Sequence, residues 1–261
     1  DKTGADSKVY QGSMSDFLML VIVDKTDNNY SFLPINRDTM SEVRLIQDDG
    51  TGAATAELQL CTAHWYGGNA EQSCANTVES ISKLFGGLKI NGYYAIPMDE
   101  IPKLNHSVGG VTVTLLEDFQ DIDRQMKKGE TLALSDEQAY HYIHDRYGVG
   151  DEKNTSRMKR QQQYMEAFFT KAKEKAKSDK VYVGQLFREF EQTATTNLTA
   201  KKISGLTNRL IKGTQKGFFE IKGTSKIGKA LGDGIDHAEF YPDKESIIYV
   251  TTKIYGLKKR E

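Results

Sequence analysis

Apolar and polar positions change period several times along this chain, and each change marks an element. Residues 17–24 (FLMLVIVD) form an unbroken apolar run of strand length, the pattern of a strand buried on both faces. Asp27-Asn28-Asn29 supplies a turn and residues 30–35 return, so the pair reads as a β-hairpin. Ser73, Asn76 and Thr77 can cap a helix through Val78, Ile81 and Leu84, with Gly86-Gly87 as its stop. Residues 91–98 read as a strand. Residues 99–108 read as a short helix with Pro102 tolerated in its first turn, and 111–116 (VTVTLL) as a further strand.

Ser135-x-x-Gln138 is a capping box that opens a helix through Ala139, Tyr142 and Ile143, ending near Tyr147-Gly148. A longer helix is expected from Asn154-Thr155-Ser156 to about Ala176. Met158, Met165, Phe169 and Ala172 give it an apolar stripe, with Arg157, Arg160 and Tyr164 as the adjoining one. Residues 183–193 and 199–210 read as two helices, the second capped by Thr199, and 217–222 as a short strand. The glycine-containing stretch 223–242 reads mostly as loop. Residues 243–255 read as a helix from the Asp243/Ser246 cap, with a strand as the alternative because Ile247, Ile248, Val250 and Ile254 are β-branched. This alternation is the cadence of an α/β sandwich around a mixed sheet, and without a repeat, linker or composition break it reads as one domain over residues 1–261.

The 35 basic residues nearly balance the 36 acidic ones, a poor electrostatic footprint for a dedicated nucleic-acid binder. Lysine-rich stretches at 171–180 and 201–229 fall among helical apolar positions and read as solvated faces. No apolar run reaches 18 residues, so nothing here is long enough to span a bilayer. The chain starts at Asp1 without a Met, and an upstream anchor or export signal is expected. Cys61 and Cys74 would close a short loop. A disulfide between them suits an extracytoplasmic protein and would add ~3 kcal/mol; two buried free thiols are the alternative.

Candidate chemistry concentrates in residues 140–163, where Arg146, Lys153, Arg157, Lys159 and Arg160 surround a glycine-containing loop with Asp145, Asp151 and Glu152 between them. The long helix starts where Arg146 arrives, and free amides, partial positive charge and arginines together suit a phosphate or pyrophosphate. A salt-bridged loop is the competing account. Arg37 and Asp38 follow a strand directly, at the kind of strand end where α/β sheets expose binding groups; an ion pair that merely caps the strand competes with that reading.

Six stretches, SDFLMLVIVD, PINRDTM, CTAHWYGGN with NTVESISKLFG, GYYAIPMDEIPKLNHSVGGVTVTLLEDF, KGETLALSDEQAYHYI and DRYG…SRMKRQQQ, together resemble one family. It is the LytR-CpsA-Psr (LCP) family of Gram-positive cell envelopes, and the pieces occur in its order over about residues 13–169. The resemblance implies a single α-β-α sandwich domain around a central mixed β-sheet. It implies an extracytoplasmic domain held at the outer face of the cytoplasmic membrane by an N-terminal anchor. The implied reaction is a phosphotransfer from a polyprenyl-pyrophosphate-linked glycopolymer to a hydroxyl of peptidoglycan, assisted by Mg²⁺.

Carried over by motif, Asp16 matches the family's metal aspartate, with Asp1 at the position of the other. Arg37 matches its strand-end arginine, Arg146 the second arginine of its Arg-x-Arg pair, Arg157 its helix arginine and Gln161 the glutamine one turn later. Arg37, Arg146, Arg157, Gln161, His144 and Arg160 would therefore bind pyrophosphate. Asp38 or Asp151 would take the acceptor's proton. Met14 and His144 stand where the family usually has arginines, and neither can replace a bidentate phosphate contact; a protonated His144 would still bring one positive charge. These departures raise two other readings, a catalytically weakened lipid-pyrophosphate-binding module and an envelope-related attenuator.

Overall fold

The computed structural model describes residues 12–47, 49–52 and 54–256. In chain order the first elements are β1 (Leu18–Val23), β2 (Tyr30–Ile35), β3 (Met40–Leu45), β4 (Ala54–Gln59), α1 (Thr62–Trp65), α2 (Ala70–Leu84) and β5 (Tyr94–Ala95). After them come α3 (Ile101–Ser107), β6 (Thr112–Thr114), β7 (Thr131–Ala133), α4 (Asp136–His144), α5 (Asn154–Ser178) and α6 (Tyr182–Glu189). The last are β8 (Thr195–Thr196), α7 (Ala200–Lys212), β9 (Gln215–Phe218), β10 (Gly223–Gly228), β11 (His237–Pro242) and α8 (Lys244–Gly256). The fold is mixed α/β, as expected. Its strands form one three-stranded sheet in the order β1-β2-β9 and four two-stranded ones.

The chain divides into two compact units. One takes the described residues of Asp1–Ala95, Thr195–Thr199 and Thr214–Glu261; the other takes Ile96–Ala194 and Ala200–Gly213.

In the first unit, β1 and β2 form the expected antiparallel hairpin, turned by Asn28 at a left-handed φ of 61°. β9 joins β2 from the other side in parallel. β2 is therefore central and buried along its whole length, while β1 is an edge strand among the described residues and only partly covered. The apolar run of β1 was expected to be buried on both faces; the structure corrects this, because among the described residues β2 has a partner on each side and β1 has one. Leu33 and Ile35 of β2 join Leu60, Ile81, Phe85, Leu88, Val250 and Ile254 in one core, so α2 and α8 pack on that face. Phe32 packs against Tyr30 and Phe218 on the other face.

α2 starts earlier than its expected caps. Asn69 takes the cap position, its side chain accepting from the Gln72 amide, and Ser73, Asn76 and Thr77 are buried within the helix. Gly86 and Gly87, both at positive φ, end it as expected. The expected strand at 91–98 shrinks to β5, paired with β8. The expected loop at 223–242 is instead the hairpin β10–β11. Its glycines misled because Gly223 and Gly228 lie in a strand where other groups approach closely. A side chain on Gly228 would overlap the Glu239 carboxylate. Only Gly232 and Gly234, at φ of 75° and 81°, belong to the turn.

The second unit is built on a core of Ile101, Val111, Val113, Leu115, Phe119, Met126, Leu134, Tyr142, Ile143, Tyr164 and Phe168, among others. Ser135 and Gln138 form the expected capping box of α4. α5 has its most buried face on Asn154, Arg157, Arg160, Gln161, Tyr164 and Phe168. Met165, Phe169 and Ala172 only flank the core. The stripe of Arg157, Arg160 and Tyr164, read from sequence as adjoining the apolar one, is thus the inward one, because its arginines find backbone carbonyls to bond at the end of α4.

Candidate functional site

α4 ends at His144, leaving carbonyls that no further helical amide can satisfy. α5 supplies the missing donors from three side chains. Gln161 Nε2 donates to the Ile143 carbonyl at 3.2 Å, Arg157 Nη1 to His144 at 3.1 Å and Arg160 Nη2 to Asp145 at 2.5 Å. Cations beside a helix C-terminus also meet its partial negative charge. Arg157 Nε and Nη2 both donate to Asn154 Oδ1, at 3.2 and 2.9 Å, which fixes its plane. The three residues carry buried polar groups because they close the end of a neighbouring helix.

Arg160 is 1% exposed. Its guanidinium lies 4.9 Å from the Phe119 ring centroid and 5.9 Å from that of Tyr142, with Nε 3.0 Å from Glu117 Oε2. Neither of those two atoms has an aligned hydrogen bond, so this is a contact of charges. Burial pulls the Arg160 pKa down, while Glu117 opposes it. Among the described residues Arg160 faces protein, which differs from the ligand role expected of it. Gln161 Oε1 is buried and has no hydrogen-bond partner.

The loop that follows α4 carries Arg146, half-buried, stacked over the Tyr147 ring at 4.5 Å and donating through Nη2 to the Tyr147 hydroxyl. Tyr147 itself is 75% exposed. His144 Nδ1 lies 2.9 Å from Asp145 Oδ1, and its ring stacks on Tyr140 at 4.9 Å. Asp145 Oδ2 meets a second imidazole, His141 Nδ1, at 2.7 Å. Hydrogen bonds from Ser156 and the Lys153 amide hold the Asp151 carboxyl below its usual pKa. Asp151 therefore anchors the start of α5 and is a weak base.

In the first unit, Arg37 Nη1 pairs with Asp16 Oδ1 at 2.6 Å and Nη2 donates to Met14 Sδ at 3.4 Å. Its Nε is buried without a partner. Burial works against this charge, yet neighbouring Cys61, Asp16 and Asp38 outweigh it and hold the Arg37 pKa above its ordinary value. Burial also pushes the Cys61 thiol up, keeping it protonated, so Asp16 and Asp38 are the negative charges that count. Asp38 is buried, with its amide on Asn36 Oδ1. Asp1 lies outside the described residues.

Both cysteines are buried free thiols, which corrects the disulfide expected between them. Cys61 Sγ is turned to Met14 Sδ at 3.9 Å, and Cys74 Sγ to His64 Nε2 at 3.7 Å. Burial raises the Cys74 thiol to about 11. Among the described residues no group of three or more His, Cys, Asp or Glu side chains is arranged to hold a metal ion. A cavity of about 500 Å³ lined by Leu45, Gln47, Ala54, Trp65 and Tyr66 contains none of the expected site residues.

The structure brings Asp16, Arg37 and Asp38 together, and separately His144, Arg157, Arg160 and Gln161. Sequence reasoning missed Glu117, His141 and Gly150. Only the last carries a signal, a glycine in a charged loop.

These observations define a mixed α/β protein with partly buried arginines, Arg37 and Arg146, just past a strand end and a helix end, an arrangement that suits anionic ligands. The chain belongs to the LytR_cpsA_psr family, which it matches over residues 3–250. It resembles the gbs0355 protein of Streptococcus agalactiae with a TM-score of 0.74 at 21% identity, covering 99% of this chain and 85% of that one. TagV of B. subtilis is similar with a TM-score of 0.70 at 22% identity, covering 95% and 90%. TagT, solved bound to LI-WTA, is similar with a TM-score of 0.67 at 19% identity, covering 94% and 85%. No curated protein sequence matches the chain.

Proposed function

We propose that this chain is a cell-envelope glycopolymer transferase that moves a glycopolymer phosphate from a polyprenyl-pyrophosphate carrier to a peptidoglycan hydroxyl. Family membership supports the class, and TagT's bound LI-WTA supports a glycopolymer of the wall teichoic acid type. The observation that carries the chemistry is the loop after α4. Arg160 holds its first carbonyl, at Asp145, while Arg157 and Gln161 hold the last two carbonyls of α4 that lead into it, and Arg146 projects from it with no carboxylate pairing among the described residues.

Cleaving a phosphoanhydride leaves negative charge on the departing phosphate, which guanidinium groups stabilise more in the transition state than in the ground state. In this reading Arg146 and Arg37 serve that charge. Asp38, buried beside Arg37, takes the acceptor's proton in preference to Asp151, whose carboxyl is engaged and acidic. Mg²⁺ is held through one or two carboxylates with water and phosphate completing its shell, and the single carboxylate of Asp16 fits that habit. When bound it would neutralise charge on the pyrophosphate. The reading places the domain at the outer face of the cytoplasmic membrane, held there by an N-terminal anchor. Among the described residues no helix is long and apolar enough to cross a membrane.

A second reading, a lipid-pyrophosphate-binding module without turnover, rests on Met14 and His144. The Met14 thioether occupies Arg37 Nη2 and His144 Nδ1 is engaged with Asp145, so neither offers the bidentate contact that an arginine would. Both readings are tested by incubating the purified domain with a polyprenyl pyrophosphate, with and without Mg²⁺, beside Arg146→Ala. Mg²⁺-dependent phosphate release that drops at least ~100-fold in the variant is the expected result. Tight binding with no release would replace the transferase by the binding module.

A further inference from the structure

We propose that Glu117 is a positioning residue for Arg146, acting through the backbone of the loop that carries it. The inference rests on the anionic-ligand role assigned above to Arg146.

Glu117 lies just beyond β6, with its side chain 12% exposed and Oε2 3.0 Å from Arg160 Nε. Arg160 in turn holds the Asp145 carbonyl, the residue before Arg146. The other Glu117 oxygen lies against Gly150 at the far end of the same loop. A Cβ there would overlap Oε1, and Gly150 has a φ of +55°. One carboxylate thus bears on both ends of residues 145–150. The Val149 amide closes the loop from within by donating to the Arg146 carbonyl at 3.3 Å.

The Phe119 and Tyr142 rings flank the Arg160 guanidinium and exclude water from it. A charge so enclosed keeps its partner or is strongly destabilised. That requirement gives the contact one stable arrangement, and the loop inherits it. Catalytic and binding groups lose function steeply when displaced by about 1 Å.

The test is a double-mutant cycle on the full chain, reading the dissociation constant for geranylgeranyl pyrophosphate by calorimetry, with melting temperatures recorded for each variant. Glu117→Gln should weaken binding about ten-fold in the wild-type background, with no further loss in the Arg146→Ala background. Glu117→Asp, which keeps the charge but shortens its reach by one methylene, should reproduce both results and serves if Glu117→Gln does not fold. Equal losses in both backgrounds would make Glu117 merely structural and overturn the inference, as would unchanged affinity in a folded Glu117→Gln. If Arg146→Ala by itself binds as tightly as the wild type, the assigned role of Arg146 fails and this inference fails with it.

Discussion

Arg157, Arg160 and Gln161 each have two duties that a residue type alone does not separate. Their donors satisfy the end of α4, and in doing so they leave Arg146 on a braced segment of chain. His64 shows a simpler conflict. Its Nδ1 lies 2.8 Å from the Ser13 carbonyl and its Nε2 faces Cys74. Burial lowers its pKa more than the Ser13 carbonyl raises it. The unfolded chain therefore takes up a proton near the ordinary value of ~6.5, where folded His64 stays neutral. This contribution to stability is complete above that pH and is lost as pH falls through the folded value. Urea titrations from pH 8 to pH 5 should show an acid-side slope of up to ~1.4 kcal/mol per pH unit that His64→Gln removes. An identical slope in the variant would dismiss His64 as its source.

At the scale of elements, α5 acts as a row of donors along two neighbouring helices. Beyond the contacts to α4, Lys175 Nζ donates to the Ser107 carbonyl at the end of α3 and Lys171 Nζ to the Gly110 carbonyl just past the turn that follows it. Lysines read as a solvated face thus close another helix terminus and the turn beyond it. Lys171→Met should lower unfolding stability by ~1 kcal/mol, measured in urea; Lys175 is exposed, and its replacement should cost less. Equal, negligible effects would mean that water serves these carbonyls as well. The capping box of α4, the Gly86-Gly87 stop and the β1–β2 turn were legible because each is a local interaction within a few residues. β10 and β11 were not, because the close approach that demands Gly228 comes from Glu239 on the opposite strand.

For the whole molecule, the chain passes between its two units at 95/96, 194/195, 199/200 and 213/214, which explains why no linker marks a boundary. Each unit holds one of the arginine groups. In the proposed activity Arg37→Ala should lower phosphate release at least ~100-fold in a variant whose circular dichroism shows it folded; full activity in the variant would remove Arg37 from the chemistry. The sequence by itself determined the mixed α/β class, most helices and the family, since periodicity, caps and ordered motifs are properties of neighbouring residues. Arg37, Arg146 and Gln161 were also visible there, as residue types in a motif. Only the tertiary structure decided that Arg160 faces Glu117, that Cys61 and Cys74 remain apart as thiols, and that β1 is an edge. Those outcomes depend on which distant groups share a buried space, and burial sets the energy of a charge or thiol more than its neighbours in sequence do.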